Sequence, residues 1–115
     1  MSYREINLRS VSADAVATEI MYEIAAARAD GVELIRFDIS YSDGSKTMID
    51  GKRIISSAIR VLKGMKQRGS VQFIATPESF ENGSTESSFL YNKYPSIFET
   101  APTVRDGESF IFVKL

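Results

Sequence analysis

The stretch Val32–Tyr41, VELIRFDISY, decides the fold. Ile35, Phe37, Ile39 and Tyr41 alternate with Arg36, Asp38 and Ser40, the period-two signature of a strand with one apolar and one polar face. Helical patterns precede and follow it. Upstream, Val16, Ile20 and Ile24 recur four residues apart, with Ala13, Ala17 and Ala27 beside them. Ser12 stands as the N-cap of this helix, and Asp14 suits the positive end of its dipole. Asp30-Gly31 ends it, with Gly31 at the left-handed C′ position. Downstream, the polar loop SDGSKTMIDG of residues 42–51 leads to a second helix from about Lys52 to Arg68, with Asp50 as its cap. Its apolar stripe is Ile55, Ala58, Ile59, Leu62 and Met65, widened by Ile54 and Val61. Gly64 interrupts it, at a cost of about 1 kcal/mol against Ala that close packing would justify. Gly69 stops it.

The flanks complete the outline. Tyr3 to Arg9 reads as a first strand, Val71 to Ala75 as a third, and Ser109 to Leu115 as the last. Thr76-Pro77-Glu78 opens a short helix, a capping hydroxyl followed by Pro at N1 and an acid. Thr85 to Tyr94 reads as another, ended by Pro95. Phe110, Ile111, Phe112 and Val113 are apolar on both strand faces, which places the last strand in the interior of the sheet. The first three strands are separated by helices, so they should run parallel. The polar faces of the first two argue for helices mainly on one side. The expectation is a single domain over residues 1–115, an α/β fold built as a two-layer α/β sandwich in βαβα(α)β order. Its core should contain Val16, Ile20, Ile24, Ile35, Phe37, Ile39, Ile55, Ile59, Leu62, Phe73 and Phe112.

Composition narrows the chemistry. The chain has 115 residues, 43% hydrophobic and 25% charged, the balance of a globular domain with one core. It has no Cys and no His, which removes thiolate and imidazole catalysis and their metal sites. No apolar run is long enough for a membrane span and no signal segment opens the chain, so a soluble, cytoplasmic protein without a membrane partner is expected. The net charge of −1 conceals an uneven distribution. From Lys46 to Arg68 the basic residues are Lys46, Lys52, Arg53, Arg60, Lys63, Lys66 and Arg68, against Asp50 alone. A row of this kind can track a nucleic-acid backbone, or can simply be the solvated face of a helix.

In this order of elements the chain resembles the small MutS-related (Smr) domain, and especially the stand-alone Smr-like proteins of anaerobic Gram-positive bacteria. The likeness covers essentially the whole chain. Family members open with a strand close to L-D-L-H-G or its Arg variant; here it reads Ile6-Asn7-Leu8-Arg9-Ser10. Their second strand ends in H-G-x-G, often H-G-Y-G; here Ile39-Ser40-Tyr41-Ser42 aligns. Tyr94-Pro95 matches a Tyr-Pro pair, and Gly107, Ser109 and Phe110 to Leu115 match a closing G-x-T-x-V-x-L. The resemblance implies an Smr-like fold. In the family, the first-strand Asp and the H-G-x-G His are linked to nuclease or nucleic-acid-binding activity. Asn7 replaces that Asp, Ile39 replaces that His, and the two glycines are Ser40 and Ser42; Tyr41 alone is kept.

The motif is therefore degenerate, and the expected function is a non-catalytic module binding nucleic acid or a protein partner, with no cofactor, no metal and no catalytic residue. Two alternatives stand beside it. One is a residual metal-dependent nuclease relocated to Asp38, Asp43 or Lys46; the other is a small homo-oligomeric structural or interaction protein. The candidate ligand site is the carboxyl edge of the parallel strands: Arg9, Ser40, Tyr41, Ser42, Ser45 and Lys46, with Lys52 and Arg53 at the start of the following helix. Asp38, Asp43 and Asp50 dilute its charge, so nucleic acid should bind it weakly and in a salt-dependent way. A second candidate is the outer face of the helix itself, Lys52, Arg53, Arg60, Lys63 and Lys66. A third is the uncovered sheet face carrying Asn7, Arg9, Arg36 and Gln72. The aromatics Phe80, Phe89, Tyr91, Tyr94 and Phe98 should pack the long connection onto the domain.

Overall fold

The structure, a computed structural model, describes residues 2–8, 12–40 and 48–115, and only the backbone of residues 48–50. In chain order the elements are β1 (Tyr3–Asn7), α1 (Val16–Ala29), β2 (Leu34–Ser40), α2 (Met48–Gln67), β3 (Phe73–Ala75), α3 (Pro77–Glu81), α4 (Thr85–Lys93) and β4 (Glu108–Lys114). The strands form one mixed sheet in the order β1-β2-β4-β3. β1 pairs parallel with β2, and β4 lies antiparallel between β2 and β3, so the first three strands share one direction. The fold is an α/β sandwich. The last strand takes the interior position that its two apolar faces require.

Local chemistry accounts for most boundaries. Gly31 and Gly69 follow α1 and α2 with φ of 74° and 76°, in the left-handed region where a side chain would be strained. At α1 the Val32 N–H donates to the Ala27 carbonyl and the Gly31 N–H to Arg28, the paired bonds of a Schellman stop. Ser70 and Gly69 repeat them on Met65 and Lys66. Thr76 and Pro77 open α3, with the Ser79 hydroxyl accepting from the Thr76 N–H at 3.0 Å. Ser84 caps α4 by accepting from the Ser87 N–H at 3.1 Å. Two expected caps are corrected. The Ser12 hydroxyl accepts from the Ala15 N–H at 3.3 Å and so holds a turn that precedes α1. α2 begins at Met48, which puts Asp50 inside its first turn instead of at its cap.

The two faces of the sheet follow from register. On the first face, Ile6, Leu8, Ile35, Phe37, Ile39, Ile111 and Val113 meet Val16, Ile20, Ile24 and Ala27 of α1 and Ile54, Ala58, Leu62 and Met65 of α2. The buried stripe of α2 is rotated by about one residue from the expected one. Ile54 is 1% exposed, while Ile55 and Ile59 are half-buried beside β3 and α3. Phe73 is likewise half-buried, because β3 is an edge strand.

The second face carries a second core. Leu34, Ala75, Phe110 and Phe112 pack against Leu90, Tyr94 and Phe98, with Phe80 and Tyr91 at the margin. Phe98 and Phe112 have ring centroids 4.9 Å apart, and Phe80 touches Tyr91, Phe98, Phe110 and Phe112 at 5.7–6.0 Å. Each such pair adds about 0.5–1.5 kcal/mol beyond burial. The long helices lie on one face as expected. Beyond the expected helices mainly on one side, α3, α4 and the connection cover the other face over β4, β3 and Leu34 of β2, and leave it open over the rest of β1 and β2.

Gly64 has no packing role: a Cβ built there meets only the Arg68 Nη1 tip, at 3.2 Å. Gly64→Ala should therefore stabilise the protein by about 0.5–1 kcal/mol, the helix-propensity gain. A urea unfolding midpoint unchanged or lowered by the substitution would contradict this.

Candidate ligand-binding surfaces

The first surface is the outer face of α2. Burying Ile54, Ala58, Leu62 and Met65 against the sheet turns Arg53, Ser56, Arg60, Lys63 and Gln67 outward at spacings of three and four residues, one line along the helix. Lys52 and Lys66 flank this line, and both are exposed. Between Lys52 and Arg68 there are six basic residues and no acid, leaving eight basic against 15 acidic for the rest of the chain. None of the six makes an ion pair with another described residue. A shallow groove of about 590 Å³ runs along Ser56, Arg60, Lys63 and Gln67. A second groove, of about 460 Å³, joins Lys63 and Lys66 to Thr76, Ser79 and Glu78 at the start of α3. From Arg53 to Lys63 the helix rises about 15 Å, so the stripe spans several phosphates of a single strand.

The second surface is the open part of the sheet's second face. Register aligns Glu5, Arg36 and Phe112 in one row across β1, β2 and β4. Asn7, Asp38 and Phe110 form the next. Arg36 is half-buried, and its Nε donates to Asp38 Oδ1 at 2.8 Å. Its Cζ sits 4.9 Å from the Phe110 centroid and 5.4 Å from that of Phe112. The connection from Ser96 to Arg105 overhangs this row and closes a groove of about 750 Å³. Tyr3 lines one wall and donates its phenol proton to Glu5 Oε2 at 3.2 Å. Burial, and then the Glu5 carboxylate, push the Tyr3 phenol well above its usual range, against a smaller opposing pull from Arg36. Tyr94 is raised too, by burial and then by Glu33.

Of the residues expected at the carboxyl edge, Arg9, Tyr41, Ser42, Ser45 and Lys46 lie outside the described residues, as does Asp43. Ser40 ends β2 buried and paired with Glu108, so this end of the strand faces an acid. Lys52 and Arg53 are exposed but stand in the second turn of α2, because the helix starts at Met48; they are not at its N-terminus. Gln72 lies just before β3, and its side chain donates to the Leu115 carbonyl at 2.9 Å. Tyr3, Glu5, Arg105 and Glu108 carry no signal in the residues alone, because their approach depends on strand register and on the overhang. Among the described residues no three His, Cys, Asp or Glu side chains gather as a metal site, and no helix is long and apolar enough to cross a membrane.

No family model matches this chain, and neither a curated protein nor a solved structure matches it. Function is therefore read from the surfaces themselves.

The raised Tyr3 and Tyr94 phenols carry a pH signature. A free phenol titrates near pH ~10. Where the folded state holds the proton more tightly, that contribution is complete below the unfolded pKa and is lost as pH rises through the folded one. Stability should thus fall above about pH 10, and Tyr3→Phe should flatten that fall. Urea midpoints measured across this range for both proteins test it; parallel curves would rule it out.

Proposed function

We propose that this chain is a non-catalytic, Smr-like module that binds single-stranded nucleic acid by its phosphates, along the outer face of α2. The observation that carries this reading is the stripe of Arg53, Arg60 and Lys63, flanked by Lys52 and Lys66. It is exposed, free of acids over 17 residues, and without an ion pair among the described residues. Unpaired cations in a row release counterions when they meet phosphates, which is the main source of sequence-independent affinity. The rest of the chain is net acidic, so it repels a polyanion and confines it to the helix. The stripe carries no aromatic side chain for base stacking, which favours backbone contact over sequence readout.

The non-catalytic part rests on Asn7 and Ile39, which stand where the resemblance calls for Asp and His, and on Asp38, whose Oδ1 is held by Arg36.

Two experiments test the proposal. Titration of a labelled single-stranded RNA should give an affinity that falls steeply with salt. The Arg53→Glu, Arg60→Glu, Lys63→Glu triple variant should bind at least about tenfold more weakly, with a salt slope shallower by roughly 2, at about 0.7 for each phosphate no longer neutralised. Equal binding by both proteins would refute the α2 site. In the second experiment, pure protein with magnesium or manganese should leave labelled RNA and DNA intact. Cleavage abolished by Asp38→Ala would establish the relocated-nuclease alternative instead.

A further inference from the structure

The groove on the open sheet face is a separate site, on the side of the sheet opposite α2. We propose that it binds a small nucleotide: one phosphate on a planar base that bears an exocyclic amine. This proposal does not depend on the polyanion stripe.

Arg36 is the anchor. Its Nε is committed to Asp38 at 2.8 Å, and its guanidinium carbon lies within 5.4 Å of two phenylalanine rings, so the side chain is held before any ligand arrives. Neither of its Nη groups makes a hydrogen bond to a described residue. A guanidinium with a fixed plane and free Nη donors is the preferred partner of a phosphate or carboxylate, and fixing it in advance lowers the ordering cost of binding. Arg105, exposed on the overhanging connection, supplies a second guanidinium to the same groove and has no side-chain partner among the described residues.

The remaining lining selects the body of the ligand. Tyr3, half-buried on one wall, offers ring surface to a planar base, over a floor that the buried Phe98 and Phe112 complete. Glu5 and Glu108 bring acceptors only. Glu5 Oε2 already receives the Tyr3 phenol, and Oε1 has no partner among the described residues. A carboxylate in this position reads an exocyclic amine, as it does on a nucleobase edge. With Asp38 the carboxylates outnumber the two arginines, so a long polyanion is repelled and a ligand with a single phosphate is tolerated. A volume of about 750 Å³ suits a small molecule.

Calorimetric titration of the full chain with adenosine monophosphate tests this. Saturable binding is expected at millimolar concentration or below. Inosine monophosphate, with a carbonyl in place of the amine, should bind at least about fivefold more weakly, and ribose 5-phosphate should not bind. Arg36→Gln and, as an exposed substitution that spares the core, Arg105→Gln should each weaken adenosine monophosphate by roughly tenfold. The α2 triple variant should leave it unchanged. No saturable binding, equal binding of the two nucleotides, or binding that survives both arginine variants would overturn the proposal. Loss of nucleotide binding in the α2 variant would also overturn it, by placing the ligand on the helix.

Discussion

The structure depends on a strand that cannot be exposed on either side. Phe110, Ile111, Phe112 and Val113 are each at most 1% exposed, and alternation sends two of them to each face of the sheet. A sheet covered on one side only would leave two phenylalanines in water, at about 1.5–3 kcal/mol each. β4 therefore sits between β2 and β3, and both faces need cover where it runs. α1 and α2 supply the first. The second is supplied by short elements rich in aromatics, and Phe80, Phe98, Phe110 and Phe112 close on one another there.

The same constraint produces the open groove. The aromatic cover is needed over β4, β3 and Leu34 at the start of β2, so it stops short of the other second-face residues of β1 and β2, among them Glu5, Arg36 and Asp38. Arg36 stands at the boundary: its guanidinium lies over the rings of the covered half, and Asp38 compensates its charge in the open half. A cation over aromatic faces is stabilised by about 0.5–2 kcal/mol, depending on its desolvation. It can hold that place at modest cost because one carboxylate already satisfies its Nε. Charge is sorted by the same division. The cations of α2 lie on the outer side of the helix that covers the first face, and the carboxylates Glu5, Asp38 and Glu108 lie on the second.

Elements with strong local patterns are legible in the residues alone: four strands, two long helices, two short ones, and the stops at Gly31 and Gly69. The α2 cations are legible as well, since a 3.6-residue period that buries Ala58, Leu62 and Met65 turns Arg53, Arg60 and Lys63 outward. Less legible is which flank of a wide apolar stripe faces the sheet. Ile54, Ile55, Ala58 and Ile59 are all apolar, and only the position of β3 and α3 leaves Ile55 and Ile59 at the margin. The starts of α1 and α2 mislead because Ser12 and Asp50 satisfy a cap's chemistry without occupying a cap's position.

By itself, then, the sequence determined everything that rests on neighbours within about four positions: strand alternation, helix faces, glycine stops, and the absence of thiol and imidazole chemistry. It also determined that the last strand is interior, because a strand apolar on both faces has no other stable place. Tertiary structure alone decided that β4 runs antiparallel between β2 and β3, that Glu5, Arg36 and Phe112 fall in one row, and that residues 96–105 overhang it. The reason is physical: register and crossover are set by contacts between segments tens of residues apart, and no local period encodes which polar side chains those contacts bring together.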